Sequence, residues 1–167
     1  MIGDGLYVDG GVILRNPSPI GGTWACCYVE NDAIVWSRSG VLTPDQACVK
    51  EVTNNQSEMY AMLMGLLALP KEYQGKVFSD SMITIGRVSM GWKWKNIPDW
   101  GHDLYYQARQ HIPGFNEIKF KHLDGHPTKD QLQAGFGKRG NPVSKWNVWC
   151  DERCTYEGKE YMKRMEP

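Results

Sequence analysis

Apolar residues fall in short stretches at the start of the chain and in longer ones further on. Leu6 to Leu14, Gly22 to Val29 and Ala33 to Val41 each run or alternate apolar over the length of a strand. Asn16-Pro17-Ser18-Pro19 separates the first two and Glu30-Asn31-Asp32 the next two. Strand-length stretches with tight polar connections predict an antiparallel meander. The pattern then changes. Ser57 to Leu69 is rich in Met, Leu and Ala and apolar nearly all round, which predicts a buried helix. Thr53, Asn54 and Asn55 offer N-caps and Pro70 ends it. Lys76 to Ser79 reads as a short strand, Ser81 to Met90 and Asp99 to His111 as helices, and Ile118 to Leu123 as an alternating strand. A long Gly-containing loop follows, and Lys145 to Arg164 predicts the last helix, with Glu58 in the first turn of the earlier, apolar one.

The order βββ, α, β, α, α, β, α predicts an α/β fold: a mixed five-stranded sheet, three antiparallel strands plus two parallel, flanked by helices. In such sheets ligands gather at the carboxyl ends of the parallel strands. At 167 residues, without an internal repeat or low-complexity linker, the chain fits one domain over 1–167 with a long basic loop at about 127–146. No apolar run reaches the roughly 18 residues of a membrane span. The opening MIGDGLYVDGG lacks the basic and apolar regions of a secretion signal, so the cytoplasm, of a cell or of an infected host, is expected.

Net charge is zero, but its distribution is uneven. Residues 1–58 carry three basic side chains against seven acidic; residues 119–146 carry six basic (Lys119, Lys121, Lys129, Lys138, Arg139, Lys145) against two acidic. An acidic region able to hold cations beside a basic one able to hold phosphate suits a nuclease, although two differently solvated faces would look the same. Five Cys without a CxxC pair fit reduced thiols. Cys26 and Cys27, adjacent in a strand, should face opposite sides. Cys150 and Cys154 share a helical face but have no second ligand pair nearby, so structural zinc is not expected.

Four carboxylates sit at the edges of apolar elements. Asp9 lies within Tyr7-Val8-Asp9-Gly10-Gly11, where an Asp inside an apolar strand has no cheap structural reason. Glu58 opens the apolar helix, Asp80 follows Val77-Phe78-Ser79, and Asp151 follows Trp149-Cys150. Taken singly, Glu58 reads as a helix-dipole residue, Asp80 as an N-cap and Asp151 as a surface residue. Gathered together they would repel unless a cation neutralised them. Hard oxygen ligands select Mg²⁺ or Mn²⁺, and two such ions can clamp the attacking and leaving oxygens of a phosphodiester.

The motifs themselves add a resemblance. YVDGG, TNNQSEMYAMLMGL, FSDS, and DGHP followed by Asn147-Val148-Trp149-Cys150-Asp151 occur in order on matching elements. Over nearly its whole length the chain resembles the type 1 ribonucleases H. That resemblance implies the ribonuclease H-like fold and cleavage of the RNA strand of RNA–DNA hybrids by two metal ions. It implies Asp9, Glu58, Asp80 and Asp151 as ligands of two Mg²⁺, with Mn²⁺ able to substitute. Asp9 would bridge both ions, Asp151 would serve the one activating water, and Glu58 and Asp80 the one nearer the leaving group. His126 matches the family's mobile histidine. Asn54 and Asn55 match residues that touch the hybrid's minor groove, Gly10 and Gly11 would let the RNA approach closely, and Asn147 falls among the nucleic-acid contacts. No obligate protein partner and no membrane follow from it.

Some features depart from the family pattern. Twenty residues separate His126 from Asn147, a long loop that carries Lys138 and Arg139 as further candidates for phosphate contact. Val148 stands where the family has an acidic residue. The basic handle of some members is shortened to Gly91-Trp92-Lys93-Trp94-Lys95, in which Trp92 and Trp94 could support the DNA strand and Lys93 and Lys95 its phosphates, or a core Trp could sit beside solvated lysines. A related nuclease such as a DNA junction resolvase, or a non-catalytic hybrid-binding domain, is the competing reading. An exonuclease would want Glu two residues after the first Asp, where Gly11 stands.

Overall fold

A computed structural model describes residues 3–167; Met1 and Ile2, which open the segment read for a secretion signal, lie outside the described residues. β1 (Gly5–Val12), β2 (Gly22–Glu30) and β3 (Ala33–Leu42) form the antiparallel meander. β4 (Lys76–Ser79) lies parallel to β1, and β5 (Lys119–His122) parallel to β4. The five strands run β3-β2-β1-β4-β5, which puts β1 at the centre and makes the sheet mixed, as the element order predicts.

Alternation along the strands builds two cores. Leu6, Val8 and Cys26 face one side, where they pack with Met59, Met62, Leu63 and Leu66 of α2 (Asn54–Ala68). On that side α3 (Met82–Ser89) and α4 (Asp99–His111) add Ile85, Val88, Ala108 and the residue after α4, Ile112. Tyr7, Ala25, Cys27 and Phe78 face the other side, against Cys150 and Cys154 of α6 (Lys145–Met165). Cys26 and Cys27 thus part to opposite faces. Tyr7 stacks on Phe78 with ring centroids 4.4 Å apart, tying β1 to β4 just before the acidic residues that follow each.

The structure corrects several boundaries. α2 begins at Asn54: the Thr53 hydroxyl accepts from the Gln56 backbone N–H at 3.1 Å, and Gln56 Oε1 accepts the Thr53 N–H at 3.0 Å. This reciprocal cap satisfies two otherwise orphaned donors and moves Glu58 from the first turn to the second. α3 is capped by Ser81, whose Oγ accepts the Thr84 N–H at 3.2 Å, so Asp80 is not an N-cap. The polar stretch before α2 holds a short helix, α1 (Pro44–Ala47), and the 127–146 loop contains α5 (Lys129–Ala134), each with its own Thr–Gln capping box. No helix among the described residues is long and apolar enough to cross a membrane.

Candidate active site

Three elements bring carboxylates to one place. Leu6 pairs with Val77 and Tyr7 with Phe78, and continuing that parallel register sets Asp9 of β1 beside Asp80, the residue just past β4. Gly10 lets α2 come down on β1: a Cβ there would meet the Glu58 nitrogen and the Ser57 carbonyl carbon, each at 2.5 Å. Glu58 is thereby delivered onto Asp9. Carboxylate oxygens of Asp9, Glu58 and Asp80 lie within 4.8 Å of one another. Asp9 is 4% exposed and Glu58 5%.

These groups are poorly compensated by the protein alone. Gly10 N–H donates to Asp9 Oδ1 at 3.0 Å, yet Glu58 Oε2 is buried without a hydrogen-bond partner. Burial, followed by the charges of Asp80 and Asp151, pushes the Asp9 carboxyl well above the usual carboxylate range. Burial and the charges of Asp9 and Asp80 do the same to Glu58. Burial also raises Asp80, against the opposing influence of His126. Clustered carboxyls that resist ionising and an orphaned carboxylate oxygen are what a cation would relieve, so the donor set fits a hard divalent ion.

The trio lies at the floor of a cavity of about 530 Å³. Asp151 lines the same cavity but stands outside the tight trio; its Oδ2 is 3.6 Å from His126 Nδ1. His126 is exposed and has a left-handed backbone, φ 49°. Gly10, Gly11, Asn54, Lys138 and Arg139 also line the cavity. Asn55 is exposed at the start of α2, outside the lining.

Two expected surface contacts are corrected. Asn147 is only 2% exposed, so it offers little surface to a duplex; its side chain instead reaches Asp80 and favours that carboxylate's charged form. Trp94 is a packing residue: its ring sits 4.9 Å from those of His102 and Tyr105, and its Nε1–H donates to the Arg87 carbonyl at 3.1 Å. Trp92 remains 43% exposed, with its ring lying over Gly86. The segment around them is held by Arg87, which is 8% exposed and donates to the carbonyls of Lys93 at 3.0 Å and Lys95 at 2.9 Å, so the exposed lysine ammonium groups play no part in holding it.

Three polar side chains of the cavity lining, Ser81, His122 and Asp124, have no role expected from the sequence. Asp124 was visible as the acid of DGHP, but nothing in the sequence said that it is 6% exposed. Burial alone would raise its carboxyl; hydrogen bonds from the Asn141 side chain and from the Arg139 and Asn141 backbones hold it below the usual range.

The fold and its gathered carboxylates define a ribonuclease H-like protein. The chain superimposes on the N-terminal RNase H domain of Rv2228c from Mycobacterium tuberculosis with a TM-score of 0.61 at 17% identity, covering 96% of this chain and 98% of that one. It matches LC11-RNase H1, solved in complex with an RNA/DNA hybrid, with a TM-score of 0.64 at 14% identity, covering 94% and 97%. In sequence it is 26% identical to the ribonuclease H of Solibacter usitatus over 159 residues, 93% of this chain and 95% of the relative. The RNase H family model matches residues 5–142, and the chain belongs to that family. It is therefore a nuclease of the ribonuclease H kind, and the family implies dependence on a divalent metal.

Proposed function

We propose that this protein hydrolyses the RNA strand of RNA–DNA hybrids, leaving 3′-hydroxyl and 5′-phosphate ends, with two divalent cations held by Asp9, Glu58, Asp80 and Asp151. The observation that carries this reading is the orphaned, buried Glu58 oxygen within a trio of carboxylates spanning 4.8 Å, in a cavity whose rim carries Lys138 and Arg139. Mg²⁺ is the expected ion, with Mn²⁺ able to replace it. When bound, the cations supply positive charge to the attacking and leaving oxygens of the phosphodiester.

The protein's own groups account for the rest. The Gly10 and Gly11 backbone lines the cavity where an RNA strand would approach. Asn54, half-buried at the cavity edge, offers an amide to the minor groove, where the 2′-hydroxyl distinguishes RNA from DNA. His126, exposed and beside Asp151, can take up or release a proton at the mouth of the cavity. Trp92 offers an exposed ring and Lys93 and Lys95 positive charge to the DNA strand. The solved LC11-RNase H1 complex with an RNA/DNA hybrid supports a hybrid substrate. We place the activity in the cytoplasm of a cell or infected host, with no obligate protein partner.

The test is incubation of the purified protein with Mg²⁺ and labelled RNA–DNA, RNA–RNA, DNA–DNA and branched DNA. We expect cutting of RNA in the hybrid alone. Cutting of the branched DNA and not the hybrid would make the protein a resolvase; tight hybrid binding without cutting would make it a binding domain.

A further inference from the structure

Asp124 is buried, lies in the wall of the catalytic cavity, and is outside the carboxylate trio. Its partners are all in one turn. Oδ2 accepts the backbone N–H of Arg139 at 2.7 Å and of Asn141 at 3.2 Å; Oδ1 accepts the Asn141 side-chain amide at 2.9 Å. Its own N–H donates to the Pro142 carbonyl at 2.9 Å. A buried carboxylate survives when donors surround it, and here every donor comes from the segment that presents Lys138 and Arg139.

We propose that Asp124 is a positioning residue: it anchors the 137–141 turn so that Lys138 and Arg139 stand at the cavity rim as a clamp for a backbone phosphate of the bound strand. The inference rests on the nuclease reading above and deepens it.

Two further observations carry it. The turn lies flat on the carboxylate: a Cβ on Gly137 would sit 2.5 Å from Asp124 Cβ and 2.7 Å from its Oδ2, so only glycine allows this approach. The anchor is also fixed to the catalytic strands, because Leu123 N–H donates to the Ser79 carbonyl at 2.8 Å, one residue before Asp80. The chain of contacts from Asp80 through β4 to the turn sets the distance between carboxylates and cations. Lys138 and Arg139 are exposed and form no ion pair among the described residues, so their charge is left for a ligand. A phosphodiester chain is the ligand chemistry that meets both the carboxylate-bound cations below and the free cations above.

The experiment compares kcat and KM for hybrid cleavage in Mg²⁺ over a salt series, for wild type, Asp124→Ala, Asp124→Asn, Gly137→Ala, Lys138→Ala with Arg139→Ala, and Asp124→Ala combined with that pair. Asp124→Ala should raise KM about tenfold and flatten the plot of log KM against log salt by roughly 0.7–0.9 for each phosphate no longer gripped. Its kcat should stay within a few-fold of wild type. The lysine–arginine pair should do the same, and adding Asp124→Ala to it should cost nothing more, because the cations it positions are gone. Asp124→Asn should retain near wild-type KM: its oxygen can accept the two backbone N–H groups, and the Asn141 amide can turn its oxygen to the new NH₂. Gly137→Ala displaces the turn with Asp124 intact and should reproduce the Asp124→Ala signature, which keeps the test open should Asp124→Ala misfold. Full additivity, a collapse of kcat at unchanged KM, or Asp124→Asn behaving as badly as Asp124→Ala would overturn the proposal. A wild type that binds but does not cut the hybrid would strike the function proposed above, while the same slopes measured by binding would still judge the anchor.

Discussion

Asp80→Asn separates what the carboxylate cluster does for catalysis from what it does to stability. The substitution keeps side-chain size and leaves the start of α3 alone, because Ser81 is the cap. It removes one of three charges whose oxygens lie within 4.8 Å of one another. At an effective dielectric constant of about 20, each pair of unit charges at that distance repels by roughly 3.5 kcal/mol. Burial raises all three carboxyls, so only part of that repulsion is felt at neutral pH. For a chain of this size about 2–4 °C accompanies each kcal/mol, so Tm in EDTA should rise by at least a few degrees. The gain should vanish with Mg²⁺, since the wild type is stabilised by cation binding and the variant much less. Single-turnover hybrid cleavage should fall on the order of 10³-fold or more, the scale of losing a main electrostatic stabiliser of the transition state. The assay is a thermal melt with and without Mg²⁺ beside the cleavage rate, with circular dichroism for the fold. A folded variant that cuts near the wild-type rate, or one that melts lower than wild type in EDTA, would refute the assignment.

Gly10→Ala should fold with a displaced α2 and lose Mg²⁺ affinity, because its Cβ would meet Glu58 backbone at 2.5 Å; Mg²⁺ titration followed by Tm checks this, and unchanged affinity would count against the close approach. His126→Ala should slow turnover by about 10²–10⁴-fold without abolishing it; wild-type turnover would remove His126 from the reaction. In EDTA, Asp9 and Glu58 have folded-state pKa values raised above those of the unfolded chain. Their contribution is therefore fully present below the ordinary carboxylate range near pH 4 and is lost as pH rises through the folded values. Tm of wild type relative to an Asp9→Asn, Glu58→Gln, Asp80→Asn variant should fall from pH 4.5 to 7 in EDTA, and a flat difference would refute the clustering.

The sequence disclosed those site residues whose chemistry clashed with their surroundings. Asp9 stood out because an acid between Tyr7-Val8 and Gly10 has no cheap structural reason, whereas Asp80, read singly as an N-cap, was reached only through the FSDS motif of the resemblance. The mixed five-stranded sheet followed from the order of strands and helices along the chain. Helix starts were read less well, and for one physical reason: α1, α2 and α5 all open with Thr-x-x-Gln, in Thr43, Thr53 and Thr128, and their first turns are polar. Hydrophobic periodicity sees nothing in four or six residues, whereas the reciprocal cap is itself the signal. The burial of Asn147 and the hydrogen bonds that Asp124 gathers could not be read, because each depends on partners from distant segments, the latter on a turn fifteen residues on; for Trp94 the sequence left a core Trp and a DNA-supporting ring equally open.

The manner in which Arg87 holds the segment around Trp92 has a consequence for how the protein would work along a nucleic acid. Its guanidinium is secured by carbonyl oxygens, not by a carboxylate, so no ion pair stands there for dissolved salt to weaken. Grip on phosphate, by contrast, loosens steeply as salt competes for the backbone. Rising ionic strength would thus loosen a phosphate backbone held by the protein's cations, while the segment around Trp92, held by neutral carbonyl acceptors, keeps its shape.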